Sequence, residues 1–266
     1  TAPPSGSPVS GDRARALAFL RRVYTGRAGR VEEHPWGVAL LTDDLPRVWD
    51  LNFVLADRWE GSAAELAAEA DRVLGATGLG HRKVAIHDQA LGERLWPELP
   101  VGSWPFHDRY LAMAHRREPD RPGDPAREVA ELDLDAYLRA HEPVVRAAPY
   151  GSDEETVSQL RELPRRSSAA LETRFFAGLA DGDAVSFASL LLDDAVAQIE
   201  DVATLEDHRG KGLARAVVLR CLAEARRAGA ELVFLVADDQ DWPKELYARL
   251  GFDPIGVETI FGRPSE

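Results

Sequence analysis

The chain has few cysteines, methionines and lysines, and it has no long apolar run. Its 266 residues include one cysteine, one methionine and 3 lysines beside 29 arginines. The single cysteine, Cys221, excludes an internal disulfide framework and suits a reducing compartment. No stretch approaches the roughly 20 apolar residues of a membrane span. We therefore expect a cytoplasmic protein with no membrane partner, and the arginine bias is typical of a GC-rich bacterial gene.

The net charge of −13 argues against a nucleic-acid partner, because phosphate backbones bind basic surfaces. The charge is also uneven along the chain. Residues 1–126 hold 16 basic and 18 acidic side chains, whereas residues 127–266 hold 16 and 27. An acidic second half favours a cationic partner such as an amine, and it fits an ordinary solubilising surface equally well.

Proline and glycine divide the chain into two halves. Residues 116–125 contain three prolines and a glycine, a composition typical of linkers. Residues 1–8 have no apolar signal core, which indicates a flexible leader. The predicted organisation is a leader over residues 1–11, a first domain over 12–117, a linker over 118–127 and a second domain over 128–266.

The most informative stretch joins a predicted strand, residues 195–204, to a predicted helix that begins near Leu213. The turn between them contains Gly210 and Gly212, which let the backbone approach a bulky anion without a Cβ in the way. The free N–H groups of a first helical turn attract phosphate. The commoner nucleotide loops, Gly-x-x-x-x-Gly-Lys-Ser/Thr and Gly-x-Gly-x-x-Gly, are both absent from this turn.

The turn instead reads Arg-x-x-Gly-x-Ala, at Arg209, Gly212 and Ala214, and Leu-Tyr-x-x-x-Gly-Phe follows at residues 246–252. An apolar strand, residues 232–236, and a helix stand between the two motifs. In this order the motifs resemble those of the GNAT acyltransferases, over roughly residues 128–264. The resemblance implies a mixed α/β fold of GNAT type and acetyl-coenzyme A as the acyl donor.

The first half repeats the order helix, strand, helix, strand, which predicts two tandem copies of the fold. Its equivalent turn, residues 56–62, has one glycine and acidic residues that repel phosphate. We therefore interpret residues 12–117 as a degenerate GNAT-like domain that does not bind the cofactor.

The resemblance also assigns cofactor contacts. Val202, Ala203 and Thr204 would pair their backbone with the pantetheine arm. Gln240, beside Asp241, stands where the family often has an asparagine, which puts that contact in doubt. The residues expected to cradle the pyrophosphate are Arg209, Gly210, Lys211, Gly212, Leu213 and Ala214.

Acetyl transfer to an amine needs a base for the ammonium and an acid or hydrogen-bond donor for the thiolate. The base candidates by resemblance are Glu200 and Asp201. Glu200 shares a strand face with Val202, although a bulge would break that alternation, so both candidates stay open. Tyr247 matches the tyrosine that protonates the leaving thiolate in many of these enzymes, and packing of its own helix is the alternative role.

The leading hypothesis is a cytoplasmic N-acetyltransferase, monomeric or homodimeric, that acts on a small-molecule or peptide amine. The alternatives are a protein that binds or senses an acyl-coenzyme A without catalysis and a structural protein that keeps only the fold. The seven histidines show no metal-ligand spacing, and the acidic run at residues 238–241 lacks that of a calcium loop. We therefore expect no metal.

Overall fold

A computed structural model describes residues 8–264. Within that range the chain forms one mixed sheet of eleven strands with helices on both faces. The strands are β1 Arg30–His34, β2 Gly37–Leu41, β3 Phe53–Ala56, β4 Arg82–Ile86, β5 Phe106–His115, β6 Val129–Leu132, β7 Glu172–Ala180, β8 Asp183–Asp193, β9 Val196–Thr204, β10 Leu232–Asp238 and β11 Phe252–Arg263. The helices are α1 Pro8–Arg27, α2 Ala63–Gly75, α3 Gln89–Leu95, α4 Leu134–Ala147, α5 Glu154–Leu160, α6 Glu162–Ala170, α7 Leu213–Arg227 and α8 Pro243–Arg249.

The two halves of the chain interlock through one strand each. The sheet order is β1-β2-β3-β4-β11-β5-β10-β9-β8-β7-β6. The last strand, β11, therefore lies between two strands of the first half, and β5 lies between two strands of the second half. The β11–β5 pair is antiparallel from Phe252↔His115 to Gly262↔Phe106. The domain boundaries stay a prediction, but neither half completes its part of the sheet alone.

Apolar side chains on alternate strand positions divide the core into two faces. On one face α2 packs on β3 and β4, and α7 packs its Val217 and Cys221 on Ile199 and Val233. On the opposite face α1 lies across the middle of the sheet, where Phe19 contacts the ring of Phe234 edge-on at 5.5 Å. Helix α4 covers β7 and β8 on the same face as α1.

Helix α1 corrects the predicted leader. The helix begins at Pro8, so the assignment of residues 8–11 to a flexible leader is wrong, and residues 1–7 lie outside the described residues. The sequence contained a signal for this helix. Ala16, Phe19, Leu20 and Val23 follow the helical spacing and are all buried.

Most predicted elements are confirmed, with shifted ends. The β7–β8 hairpin turns at Asp181 and Gly182, both with positive φ. Residues 48–55 are apolar enough for one strand but do not form one, because Trp49–Leu51 make a 3-10 turn and β3 begins only at Phe53. The cause is Asn52, whose buried amide accepts from the Thr42 N–H and donates to the carbonyls of Leu45 and Val48.

Separating the halves should prevent either from folding alone. A fragment 126–266 lacks β5, so the apolar β10 and β11 lose the strand that pairs with both. We expect this fragment to aggregate when expressed alone and to become soluble on co-expression with residues 1–125. Size-exclusion chromatography and circular dichroism measure this, and a monomeric, folded fragment 126–266 would contradict the interlock.

Candidate acetyl-transfer site

The site begins where two parallel strands separate. β9 pairs with β10 only over Val196–Ile199 and Leu232–Leu235. Beyond that point β9 stays with β8 as far as Thr204, while β10 stays with β5 as far as Asp238. Residues 200–204 therefore have no register partner on β10, and their backbone edge faces a gap that passes between the two faces of the sheet.

A bulge in β9 lies at the mouth of this gap. Ser189 pairs with Glu200 and Phe187 with Ala203, so two β9 residues stand opposite Ala188 alone. Asp201, the first of the two, has φ of +55°, a left-handed conformation that Asp tolerates better than most residues. The bulge breaks the strand alternation, and as a result Glu200 and Asp201 both line one cavity.

This cavity, of about 530 Å³, lies on the face covered by α1 and α4. Helices α4 to α6 and strand β9 form one wall. The other wall comes from the first half and from β11, through Tyr24, Asp50, Lys83, Tyr110 and Glu258. The cavity is thus built jointly by the two interlocked halves.

Asp201 is held by two aromatic side chains of α4. The Tyr137 hydroxyl donates to Asp201 Oδ2 at 2.6 Å, and His141 Nε2 lies 3.3 Å from the same oxygen. The two rings stack, with centroids 5.0 Å apart. Burial, and then the Asp201 charge, raise the pKa of Tyr137 well above its usual value, so this hydroxyl remains a donor.

Glu200 is engaged differently. Its carboxylate forms an ion pair with Arg27, which lies at the end of α1 and whose side chain is 6% exposed. A guanidinium this well buried needs its counter-ion, because removing one partner leaves a desolvated charge. Glu200 therefore has a structural partner in place, whereas Asp201 has no arginine or lysine partner among the described residues.

The Arg209–Ala214 loop follows β9 and carries exposed backbone. Gly210 and Gly212 have φ of +73° and +80°, and a Cβ at either would meet nothing within 4 Å. Gly212 caps α7, and the first intrahelical bond of that helix runs from the Ala216 N–H to its carbonyl. The preceding N–H groups of the first turn are therefore available to an anion.

Tyr247 and Gln240 do not line the cavity. Tyr247 is 7% exposed and packs with the α7 cluster, on the opposite face of the sheet. Burial, assisted by Asp241, raises the pKa of Tyr247 to about 12. Gln240 is exposed just beyond β10, where its N–H donates to the Asp238 carboxylate at 2.7 Å.

Sequence reasoning did not select Arg27, Tyr137 or His141. Tyr137 and His141 are four residues apart on a helix with an apolar stripe, a spacing that signals one shared face. No local pattern could identify Arg27, because its partner lies 173 residues further along the chain.

Within residues 8–264, no cluster of three or more His, Cys, Asp or Glu side chains is placed to hold a metal ion. No helix in that range is both long enough and apolar enough to span a bilayer.

Residues 135–252 match the sequence model of the acetyltransferase (GNAT) family. This segment, somewhat less than half of the chain, is therefore similar to acetyltransferases of the GNAT family, which are acyltransferases.

Comparison with individual proteins agrees with this assignment. Glucosamine 6-phosphate N-acetyltransferase of Trypanosoma brucei brucei is 29% identical over 133 residues, which cover 47% of this chain and 86% of that protein. A GCN5-related N-acetyltransferase from Kribbella flavida aligns in structure with a TM-score of 0.64 at 20% identity, covering 96% of both chains. A tandem GNAT protein from the clavulanic acid biosynthesis pathway aligns at 0.59 and 14% identity, over 97% of this chain and 95% of its own.

The two structural likenesses establish the fold, since both extend over nearly the whole chain. The predicted GNAT-like fold in two tandem copies is thereby confirmed. The residues of the site, by contrast, remain predictions.

The loop can be tested by adding one carboxylate. Gly212→Asp places bulk and negative charge at the N-terminus of α7, where the pyrophosphate is predicted to sit. We expect loss of acetyl-coenzyme A binding in isothermal titration calorimetry. Gly229→Asp is the matched control, since Gly229 has φ of +89° and open space at the other end of the same helix. Equal affinity in the two variants would refute the loop assignment.

Proposed function

We propose that the protein transfers the acetyl group of acetyl-coenzyme A to an amine of a small molecule bound in the joint cavity. The observation that carries the proposal is the gap between β9 and β10. It begins beside Asp201 in the cavity, and the β9 backbone leads from it to the Arg209–Ala214 loop.

The donor is proposed to bind along this path. The N–H groups at the start of α7 receive the pyrophosphate, and Arg209 and Lys211 add positive charge to an exposed loop. The unpaired backbone edge of Val202, Ala203 and Thr204 hydrogen-bonds the pantetheine arm as an added strand would. The thioester then lies at the gap, between the two faces of the sheet.

The acceptor is proposed to enter from the cavity. A lysine-like amine has a pKa near 10.4, so it must lose a proton before it attacks. Asp201 suits this task better than Glu200, because Arg27 already occupies Glu200. One ammonium proton passes to Asp201, directly or through His141, and the neutral nitrogen then attacks the thioester carbonyl carbon. The C–S bond breaks, the electron pair leaves with sulfur, and the second proton of the nitrogen passes to solvent.

Tyr247 is proposed to meet the leaving thiolate from the opposite face, through the same gap. Its pKa of about 12 lies above that of a thiol, roughly 8.5. Full proton transfer from Tyr247 to sulfur is therefore uphill. A hydrogen bond from the phenol that stabilises the thiolate is the role its environment supports.

A panel of amines tests the function. Release of free thiol from acetyl-coenzyme A should depend on the amine and saturate with it. Tight binding of acetyl-coenzyme A with no acceptor-dependent thiol release would instead indicate a non-catalytic acyl-coenzyme A-binding protein.

Removing the phenol hydroxyl isolates the role of Tyr247. Tyr247→Phe keeps the ring and its packing, and we expect turnover to fall by roughly 10²–10³ with cofactor affinity nearly unchanged, because one hydrogen bond to the thiolate is lost. Since the hydroxyl stays protonated up to about pH 11, its ionisation should produce no alkaline loss of activity below that pH in the wild type. Wild-type turnover in the variant would show that the hydroxyl is structural.

Substitution of Asp201 should lower turnover, whereas substitution of Glu200 should lower stability. Asp201→Asn keeps a residue that accepts positive φ, so we expect intact folding and a loss of turnover of roughly 10²–10⁴. Glu200→Gln leaves Arg27 buried without its counter-ion, so the free energy of unfolding should fall by about 3 kcal/mol.

Urea unfolding and steady-state kinetics on both variants measure these effects. The opposite pattern, with turnover lost in Glu200→Gln and kept in Asp201→Asn, would assign the base to Glu200.

A further inference from the structure

The charges that line the cavity do not cancel. Its three permanent cations each contact a carboxylate: Arg27 with Glu200, Lys83 with Asp50, and Arg161 with Glu142 at 2.7 Å. The cavity has five lining carboxylates, so two remain without an arginine or lysine. These two are Asp201 and Glu258, and the basic neighbour of each is a histidine, which carries no permanent charge.

The surroundings of Glu258 resemble those of a cation-binding site. The residue is 7% exposed, and Oε1 lies 2.8 Å from His87 Nε2 without hydrogen-bond geometry. Tyr110 is its register partner on β5, so the two side chains stand side by side on the same face. Tyr24 lies over His87, with ring centroids 5.8 Å apart. Carboxylate oxygens together with aromatic rings are the surroundings that ammonium groups favour.

A second unsatisfied acceptor lines the same cavity. Gln198 is 4% exposed, and its Oε1 has no hydrogen-bond partner. The lining residues also contain unbonded buried nitrogens, Arg27 Nε and His141 Nε2, but those side chains already face Glu200 and Asp201. The unpaired polar groups of the cavity are therefore acceptors and carboxylates that a positively charged donor would satisfy.

The two uncompensated carboxylates are far apart. Glu258 is on β11 and Asp201 on β9, with β5 and β10 between them. Two regular strand spacings of about 4.8 Å plus the wider β9–β10 gap place their backbones at least about 14 Å apart. A single ammonium cannot contact both carboxylates, whereas an extended molecule with a charged group at each end can.

We propose that the acceptor is a linear amine with two ammonium groups, one delivered to Asp201 for acetylation and the other held by Glu258 beside Tyr110. This proposal rests on the proposed acetyl transfer and names its substrate class. The cavity also disfavours an acceptor that bears a phosphate, because every arginine and lysine lining it already has a carboxylate partner.

The first test uses the unmodified full-length chain. Thiol release from acetyl-coenzyme A is measured with linear α,ω-diaminoalkanes, with monoaminoalkanes of the same lengths and with glucosamine 6-phosphate. We expect kcat/KM to be at least tenfold higher for a diamine of suitable length than for its matched monoamine.

The second test removes the distal charge. Glu258→Gln should raise KM for the diamine by roughly tenfold or more and leave kcat/KM for the monoamine unchanged. Monoamine turnover thereby reports that the variant is folded. Glu131→Gln is the matched control, because Glu131 pairs with Arg174 outside the cavity. This variant should leave kcat/KM unchanged for both acceptors.

The outcomes are distinguishable. Equal kcat/KM for diamine and monoamine, a preference for glucosamine 6-phosphate, or equal losses for both acceptors in Glu258→Gln would overturn the second ammonium site while acetyl transfer stands. Absence of thiol release with every amine would overturn the proposed function and this inference with it. A diamine preference that Glu258→Gln abolishes supports the assignment.

Discussion

The end of hydrogen bonding between β9 and β10 is the constraint on which the site depends. Parallel strands normally continue together, but here each strand follows its antiparallel neighbour after four paired residues. The separation exposes a backbone edge, opens a passage between the faces of the sheet and places the Asp201 bulge at its mouth. An acyl donor on one side and an amine on the other could meet only at such an opening.

The exchange of β5 and β11 gives the first half its role. Although the first half has no Arg-x-x-Gly-x-Gly/Ala motif, the interlocked sheet and α1 bring Tyr24, Lys83 and Tyr110 to the cavity beside the bulge. The first half also contributes Arg27, which forms an ion pair with Glu200 on β9. A degenerate copy of the fold thus serves as a wall of the cavity.

Local pattern was sufficient to predict the strand–turn–helix order around the Arg209–Ala214 loop and the apolar strand β10, because glycine positions and apolar spacing encode them within a few residues. Local pattern could not predict the strand exchange, since the sequences of β5 and β11 do not determine which distant strands they pair with. A bulge in β9 could be anticipated, but neither its position at Asp201 nor the Arg27–Glu200 pair could be predicted, for the same reason. Both depend on register and contacts between residues that are far apart in the chain.

We propose that the gap between β9 and β10 joins the Arg209–Ala214 loop to the joint cavity. A crystal structure of the full chain with coenzyme A tests it most directly. We expect one coenzyme A per chain, with pyrophosphate at the N-terminus of α7, pantetheine along residues 202–204 and sulfur at the gap beside Asp201. Coenzyme A bound between β3 and β4, or with its sulfur remote from Asp201, would contradict it.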